Sequence, residues 1–383
     1  MSVSFMSYKI RLYPTKEQEN AMFNHIRAAR FIWNLMIEKQ RNKYLEDGSY
    51  ISKFDMIRLL TSIKSENLWL YDVSNYTLQG ACSDVDTSYQ RFFKKITKIP
   101  NFKSRKRSKN SFCVIPNETY IKKKSGLLHL QKIGDIKFKT DFYFPIGRGK
   151  MKLANSRIIF EKSGKWFIYF AMERENQASV LTNKPMGIDL GIKETMVVAY
   201  GNESIIFHNI NKSKKVRELK KRIRNLQRVI SRKYEANRVG KKYIKTNNII
   251  KLENKLIKLH TRLNGIRHNY IHQCTHKLIS LLPCRVVMED LNVMGMMKNK
   301  HLSKAIQEQC FYEIIRQMKY KCEWNGIPFI QVDRFYPSSK TCSCCGAINK
   351  RLTLSDRTFV CPECGFTIDR DYQAALNLMR YEV

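Results

Sequence analysis

The chain has 383 residues, 43% of them hydrophobic, enough for two or three packed domains. Lys and Arg number 70 against 33 Asp and Glu, a formal charge of +37 that repels itself unless a polyanion neutralises it. Nucleic acid is therefore the expected partner and a membrane surface the weaker one. No apolar run approaches the ~18 residues of a transmembrane helix, and the opening Met1-Ser-Val-Ser-Phe-Met-Ser-Tyr-Lys9 lacks the apolar stretch of a signal peptide. The eleven cysteines then read as those of a cytoplasmic, nucleoid-associated protein.

Tyr8, Ile10 and Leu12 alternate with Lys9 and Arg11, which predicts a short strand. Pro14 ends it, and Thr15 with Gln18 forms a capping box that opens a helix. Helical patterning runs through Phe31, Ile32, Trp33, Leu35 and Met36 and returns, with breaks, to about Phe93. Next comes a basic stretch: Lys94, Lys95, Lys98, Lys103, Arg105, Lys106, Arg107 and Lys109, interleaved with Phe102 and flanked by Phe92, Phe93 and Phe112. A bare charge run is most often a solvated face; the aromatics and the internal position favour phosphate contact here. From 113 to 182 the pattern is β. Arg157–Phe160 and Trp166–Phe170 flank Lys162-Ser-Gly-Lys165, a hairpin signal. A small barrel or sandwich is expected, joined by the strand near residue 10.

From Met186 a three-stranded meander is predicted: Met186–Asp189, Glu194–Tyr200 and Ser204–His208, with turns at Gly191 and Gly201-Asn202. Two long helices follow. In the second, Ile249, Leu252, Leu256, Leu259, Leu263, Ile266 and Tyr270 form an apolar seam, the mark of a helix hairpin. The first arm carries Lys212, Lys214, Lys215, Arg217, Lys220, Lys221, Arg222, Arg224, Arg228, Arg232 and Lys233 with few compensating acids, which suits a nucleic-acid-facing arm as well as a solvated one. Cys284–Leu291 is a buried strand ending in carboxylates, Ser303–Trp324 a helix, Ile327–Val332 a strand and Tyr372–Arg380 a last helix.

Two groups carry chemistry. Cys342, Cys345, Cys361 and Cys364 form paired C-x-x-C knuckles with the spacing of a zinc ribbon, with Gly346 and Gly365 in the left-handed turns and Cys344 a bystander. Four thiolates leave no open position, so the zinc is structural. The second group is Asp189, Glu289 and Asp369 or Asp371: two strand ends and a helix start, which converge on one sheet edge in a ribonuclease H-like fold. Three such carboxylates repel unless divalent cations sit between them. Two Mg²⁺ or Mn²⁺ ions about 3.5–4 Å apart fit the oxygen ligands and clamp a scissile phosphate. Glu194, Asp290 and Asp333 read as solvated or ion-paired. His260, His268, His272 and His276 share one helical stretch without a zinc-protease motif and read as packing or phosphate contacts.

With these residues in view, the chain resembles the TnpB (OrfB) family of insertion-sequence proteins, relatives of the compact type V CRISPR nucleases. The resemblance spans Tyr8-Lys-Ile-Arg-Leu-Tyr-Pro-Thr-Lys-Glu-Gln18, Gly187-Ile-Asp-Leu-Gly191, Val287-Met-Glu-Asp-Leu291, Arg334-Phe-Tyr-Pro-Ser-Ser-Lys-Thr-Cys342 and Asp369-Arg-Asp-Tyr-Gln-Ala-Ala375. It implies a multidomain α+β protein. A wedge-type β-barrel is expected over 1–14 plus 113–182 and a helical recognition domain over 15–112. A RuvC-like nuclease domain is expected over 183–383, with the helix hairpin at 210–280 and the ribbon at 336–366. It also implies an RNA-guided, Mg-dependent DNA endonuclease that takes a guide RNA from the element's end and cuts double-stranded DNA beside a short motif. Asp189, Glu289 and Asp371 are then the catalytic, magnesium-binding residues. Lys103, Arg105, Lys106, Arg107, Lys214, Lys215, Lys221 and Arg224 are the nucleic-acid contacts. The family usually has Asn where this chain has Gln373. A guided regulator without cleavage and a strand-transferring transposase are the alternatives, and the oligomeric state is left open.

Overall fold

The computed structural model describes residues 3–114, 120–122, 126–139, 153–176, 179–353 and 356–382. The chain divides into two compact units, Val3–Arg174 and Glu175–Val383.

In the first unit, β1 (Val3–Tyr13) leads to Pro14 and then α1 (Lys16–Asp47). Thr15 caps α1 as the sequence predicts. The Gln18 amide donates to its hydroxyl at 3.3 Å, and the Thr15 amide donates back to Gln18 Oε1 at 3.0 Å. Helices α2 (Lys53–Glu66) and α3 (Asn75–Phe93) start at Ser52 and Ser74, each bonding a first-turn amide. The helices bury Ile32, Met36, Ile37, Met56, Leu78 and Val85 between them. The following strands are β2 (Asn110–Cys113), β3 (Tyr120–Lys122), β4 (Leu127–Leu130), β5 (Gly134–Lys139), β6 (Leu153–Phe160) and β7 (Trp166–Glu175). They form one sheet in the order β2-β6-β7-β1-β5-β4-β3, so β1 joins the later strands, as expected from the sequence, and sits at the centre of the sheet. Ile10 and Leu12 of β1 pack with Phe112, Leu128, Ile136 and Trp166, and with Met22 and Ile26 of α1. Parts of the β segment expected over 113–182 (residues 115–119, 123–125, 140–152 and 177–178) lie outside the described residues.

The second unit opens with the meander β8 (Pro185–Leu190), β9 (Glu194–Tyr200) and β10 (Glu203–His208). The hairpin arms are α4 (Lys214–Ala236) and α5 (Asn247–Ile279), joined through the short strands β11 (Arg238–Val239) and β12 (Lys242–Tyr243). Four residues of the predicted seam, Leu256, Leu259, Leu263 and Ile266, pack on Val216, Leu219 and Ile223, while Tyr270 packs against the sheet core. The chain continues through β13 (Arg285–Glu289), α6 (Val293–Met296), α7 (Ser303–Gln309), α8 (Phe311–Trp324) and β14 (Phe329–Val332). It then passes through β15 (Thr358–Val360) and β16 (Thr367–Asp369) into α9 (Arg370–Met379).

The main sheet runs β10-β9-β8-β13-β14, with the meander antiparallel and β13 parallel to both β8 and β14. A meander followed by parallel strands across a helical connection is the ribonuclease H-like arrangement expected. Strand β13 reads as a continuous apolar run because both its faces are covered. Val286 and Met288 join the layer of α5 and α8, while Val287 meets Val332 and Leu378 on the other face. One helix was expected over Ser303–Trp324; it is broken at Cys310, whose φ of 56° is left-handed. The reason lies one residue earlier. The buried Gln309 side chain turns into the sheet edge, donating to Ile192 O at 2.9 Å and accepting from Thr195 Oγ1 at 3.2 Å.

Helix α9 lies directly on β8 and β9. Ala375 and Met379 pack on Val197 and Ala199. At Gly187 the strand has no room for a side chain: a Cβ there would overlap Ala375 O and the Met379 backbone. Gly187→Ala should therefore lever α9 off the sheet and destabilise this unit by about 3 kcal/mol, the upper range for overpacking. Denaturant unfolding checks this; a loss below about 1 kcal/mol would show that α9 yields.

Candidate active site

Strand β8 carries Asp189 near its end, and the parallel neighbour β13 ends at Glu289. Their register, Ile188 opposite Met288, sets the two carboxylates level at one edge of the sheet. The start of α9 adds a third. Asp369 and Asp371 take different tasks. Asp369 is the N-cap, its Oδ1 accepting from the amides of Asp371 (3.0 Å) and Tyr372 (3.1 Å). Asp371, two residues on, turns to the other carboxylates and lines one cleft with Asp189 and Glu289. The close approach of α9 at Gly187 is what brings it there.

The cleft has a volume of about 630 Å³. Its electrostatics are those of an unneutralised acid cluster. Burial, then the charges of Glu289 and Asp371, push the Asp189 pKa well above the usual carboxylate range. Burial also raises Glu289, against the opposing effect of a hydrogen bond from Ser338. Cations rim the same cleft: Lys193, Lys212, Arg357 and Arg370. The Arg370 guanidinium stands 3.4 Å from Asp371. The donors are all carboxylate oxygens, the set that suits Mg²⁺ or Mn²⁺ rather than a softer ion.

The other acids are engaged elsewhere. Asp290 pairs with Arg334 at 2.7 Å, Glu194 with His208 at 2.9 Å, and Asp333 accepts from the Phe335 amide at 2.8 Å. His272 lies beside Lys321 and Arg316, and burial first, then those charges, lowers its pKa. Glu313 is 3.8 Å from His268.

The cysteines Cys342, Cys345, Cys361 and Cys364 converge, with all four Sγ atoms within 4.8 Å of one another. The Cys342–Cys364 and Cys345–Cys361 separations are 3.7 and 3.5 Å. A tetrahedron with Zn–S bonds near 2.3 Å has edges of about 3.8 Å, so the residues fit zinc without rearrangement. Gly346 and Gly365 have φ of 76° and 69°, and their amides donate hydrogen bonds to Cys342 O and Cys361 O, closing each knuckle. Cys344 stays outside the cluster.

The basic residues divide. Arg105, Lys106, Arg107, Lys214, Lys215, Lys221 and Arg224 are exposed. Lys103 is not free: its ammonium lies 3.4 Å from the Trp33 ring centroid, and burial pulls its pKa down to about 8. The backbone around it is strapped to α1. Asn34 bonds both the amide and the carbonyl of Lys103, while Arg41 and Trp33 donate to Pro100 O and Asn101 O. Sequence reading missed Arg370, Ser338 and Asn377. Arg370 was visible between the two aspartates of Asp369-Arg-Asp371; nothing local marks Ser338 or Asn377, whose partners are distant in sequence.

Comparison with known proteins bears on the fold and the family. Three family models match in chain order: a helix-turn-helix domain of the OrfB insertion-sequence family over residues 6–49, the probable transposase of that family over 168–300, and a Cas12f1-like TNB domain over 311–378. The first of these segments here is β1 followed by the single long helix α1. A putative RNA-guided DNA endonuclease of Streptomyces pristinaespiralis is 28% identical over 97% of this chain and 88% of its own length. The putative RNA-guided DNA endonuclease InsQ of Escherichia coli is 27% identical over 97% and 91%. The structure of Cas12f1 in its complex with sgRNA and target DNA superposes with a TM-score of 0.64, at 14% identity, covering 99% of both chains. The fold is thus that of a compact Cas12f1-like protein with a ribonuclease H-like core. Within that class, the chain resembles the TnpB (OrfB) insertion-sequence proteins across nearly its whole length, as its motifs indicate. Among the described residues, no helix is long and apolar enough to cross a membrane.

Two outcomes follow from the site. With chelator present, Asp189→Asn should stabilise the protein by at least about 1 kcal/mol at pH 7 and by less at pH 5. A carboxyl group whose folded pKa is raised costs stability progressively as pH rises above its unfolded value near 3.9, and Asn removes that cost. Equal stability of the two proteins at both pH values, in thermal melts, would contradict the crowding. Cys361→Ser should abolish zinc binding and unfold the ribbon, since structural zinc contributes about 10–16 kcal/mol to such folds. Zinc content and limited proteolysis around residues 336–366 report it.

Proposed function

We propose that this protein is an RNA-guided DNA endonuclease of a transposable element, cutting target DNA at the Asp189, Glu289 and Asp371 cleft by metal-assisted phosphodiester hydrolysis. The observation that carries the reading is the convergence of these carboxylates, from three separate elements, in one cleft rimmed by cations. The names of the relatives support the guided-nuclease class.

When bound, two divalent cations between the carboxylates would activate water and stabilise the leaving oxygen of the scissile phosphodiester. The chain's own groups prepare the cleft. Glu289 lines the cleft and accepts a hydrogen bond from the Ser338 hydroxyl at Oε1, which leaves its other oxygen for a cation. Arg370 holds Asp371 and presents its guanidinium to an incoming phosphate. Lys193, Lys212 and Arg357 draw the DNA backbone toward the carboxylates. Along α4, Lys214, Lys215, Lys221 and Arg224 present exposed cations to nucleic-acid phosphates, and Arg105, Lys106 and Arg107 do so beyond α3. Base pairing with a guide RNA supplies the sequence choice, so the protein itself needs backbone contacts and one short adjacent motif. The helical segment 15–112 is assigned to recognition, the sheet of β1 with 113–182 to the wedge, and 183–383 to a RuvC-type nuclease.

The test is an Asp189→Ala variant expressed from its native locus. It should co-purify with a discrete RNA that has a constant part and a flank-derived end, and bind matching target DNA within a few-fold of wild type. Mg²⁺-dependent cleavage should fall at least about 10³-fold. Cleavage retained by this variant would remove Asp189 from the chemistry. Heterogeneous RNA, or none, would remove the guide.

A further inference from the structure

Between the zinc ribbon and the carboxylate cleft runs one short segment, Ser338 to Ser343, whose polar contacts connect the two. At one end, the Ser338 hydroxyl donates to Glu289 Oε1; Ser338 is 3% exposed. A hydroxyl has a single proton to give, so this bond decides which Glu289 oxygen stays available. At the other end, Cys342 belongs to the four-cysteine cluster of the ribbon and Ser343 lies inside its first knuckle. Cys342 accepts from the Gly346 amide at 2.9 Å and donates its own amide to Ala347 O at 2.8 Å.

Helix α9 grips the middle of the segment. Asn377 uses its amide nitrogen on two carbonyls, Ser338 O at 2.6 Å and Thr341 O at 2.7 Å. Gln373, one turn earlier on the same face, donates to Thr341 O and accepts from Ser343 Oγ at 2.9 Å. Both amide side chains are buried. Apolar residues would fill that space at lower desolvation cost. Instead, two buried amides are committed to this one stretch of backbone, and a buried hydrogen-bonded network of this kind favours a single geometry.

We propose that Ser338, Asn377 and Gln373 are positioning residues that register the Glu289 carboxylate against the ribbon, so that zinc in the ribbon sets the divalent-cation affinity of the cleft. The proposal rests on reading Asp189, Glu289 and Asp371 as a cation site. With zinc bound, the first knuckle is closed and Thr341 and Ser343 are held where both amides reach them. Without it, the four sulfurs no longer converge, the segment loses its anchor, and Ser338 releases Glu289.

The experiment uses the full chain without nucleic acid, with Mn²⁺ as the probe, its binding followed by electron paramagnetic resonance and zinc by elemental analysis. Asp189→Ala should lose Mn²⁺ binding; if it does not, the cation-site reading itself fails, separately from the coupling. Ser338→Ala should weaken Mn²⁺ binding about 10–100-fold, as loss of a partner to a metal-ligating group does, while keeping its zinc and its melting temperature. Ser338→Thr, which keeps the hydroxyl, should restore affinity. Asn377→Leu, which cuts the segment from α9 with zinc still bound, should weaken Mn²⁺ as Ser338→Ala does. Zinc stripping of the wild type should do the same and add nothing further in Ser338→Ala. Mn²⁺ affinity within twofold of wild type in Ser338→Ala, or in zinc-replete Asn377→Leu, overturns the proposal. If Asn377→Leu unfolds, the Ser338→Ala and Ser338→Thr pair decides the positioning; a zinc-stripped chain that keeps Mn²⁺ affinity within twofold of wild type overturns the coupling to zinc.

Discussion

Three carboxylates that repel one another are held in one cleft, and nothing they gain from each other keeps them there. Burial and mutual charge push Asp189 far from its ordinary protonation range, a free-energy cost carried by the rest of the fold. The opposing force is ordinary packing. Val286, Val287 and Met288 fix β13 between two apolar layers, and α9 presses against β8 where Gly187 offers no side chain. Each contact that secures one of these elements is also a contact that imposes the acid cluster. Local instability at a functional edge, offset by a rigid interior, is what an acid site awaiting cations requires.

Arg370 and Ser338 moderate that strain differently. The guanidinium beside Asp371 adds positive charge at the edge of the cluster, whereas Ser338 adds only a directed hydrogen bond to Glu289. One sets how much charge the site tolerates, the other where an oxygen points. The ribbon stands behind the second of these, through the buried amides of α9. The long amide of Gln373, where the resembling family usually has Asn, reaches both Thr341 O and Ser343 Oγ.

Much of this was legible in the sequence because the signals are local. The capping box at Thr15 and Gln18, the hairpin turn at Gly164 and the α4–α5 seam depend on residues within a few positions of one another, and the structure forms them where the pattern places them. The paired knuckles likewise carry their own geometry. One misreading arose where a distant partner decided the outcome. Cys310 breaks a helix with good periodicity because Gln309 is drawn to Ile192 and Thr195, far earlier in the chain. Lys103 belongs to a charge run by composition but to Trp33 by packing. Spacing alone left the two aspartates opening α9 open; the resemblance pointed to Asp371, and in the structure the cap bonds engage Asp369.

The order of the first sheet has a consequence for synthesis. Strand β1 lies between β5 and β7, whose residues follow it in the chain only after the whole helical segment. As the polypeptide emerges from the ribosome, β1 must wait with both hydrogen-bonding edges unmatched while α1, α2 and α3 form from contacts nearer in sequence. The helices can thus become ordered early, but the sheet closes around β1 only once residue 166 and its successors are out. Until then Ile10 and Leu12 are uncovered on their sheet neighbours' side, and the nascent chain is open to wrong pairing and to chaperones during that interval.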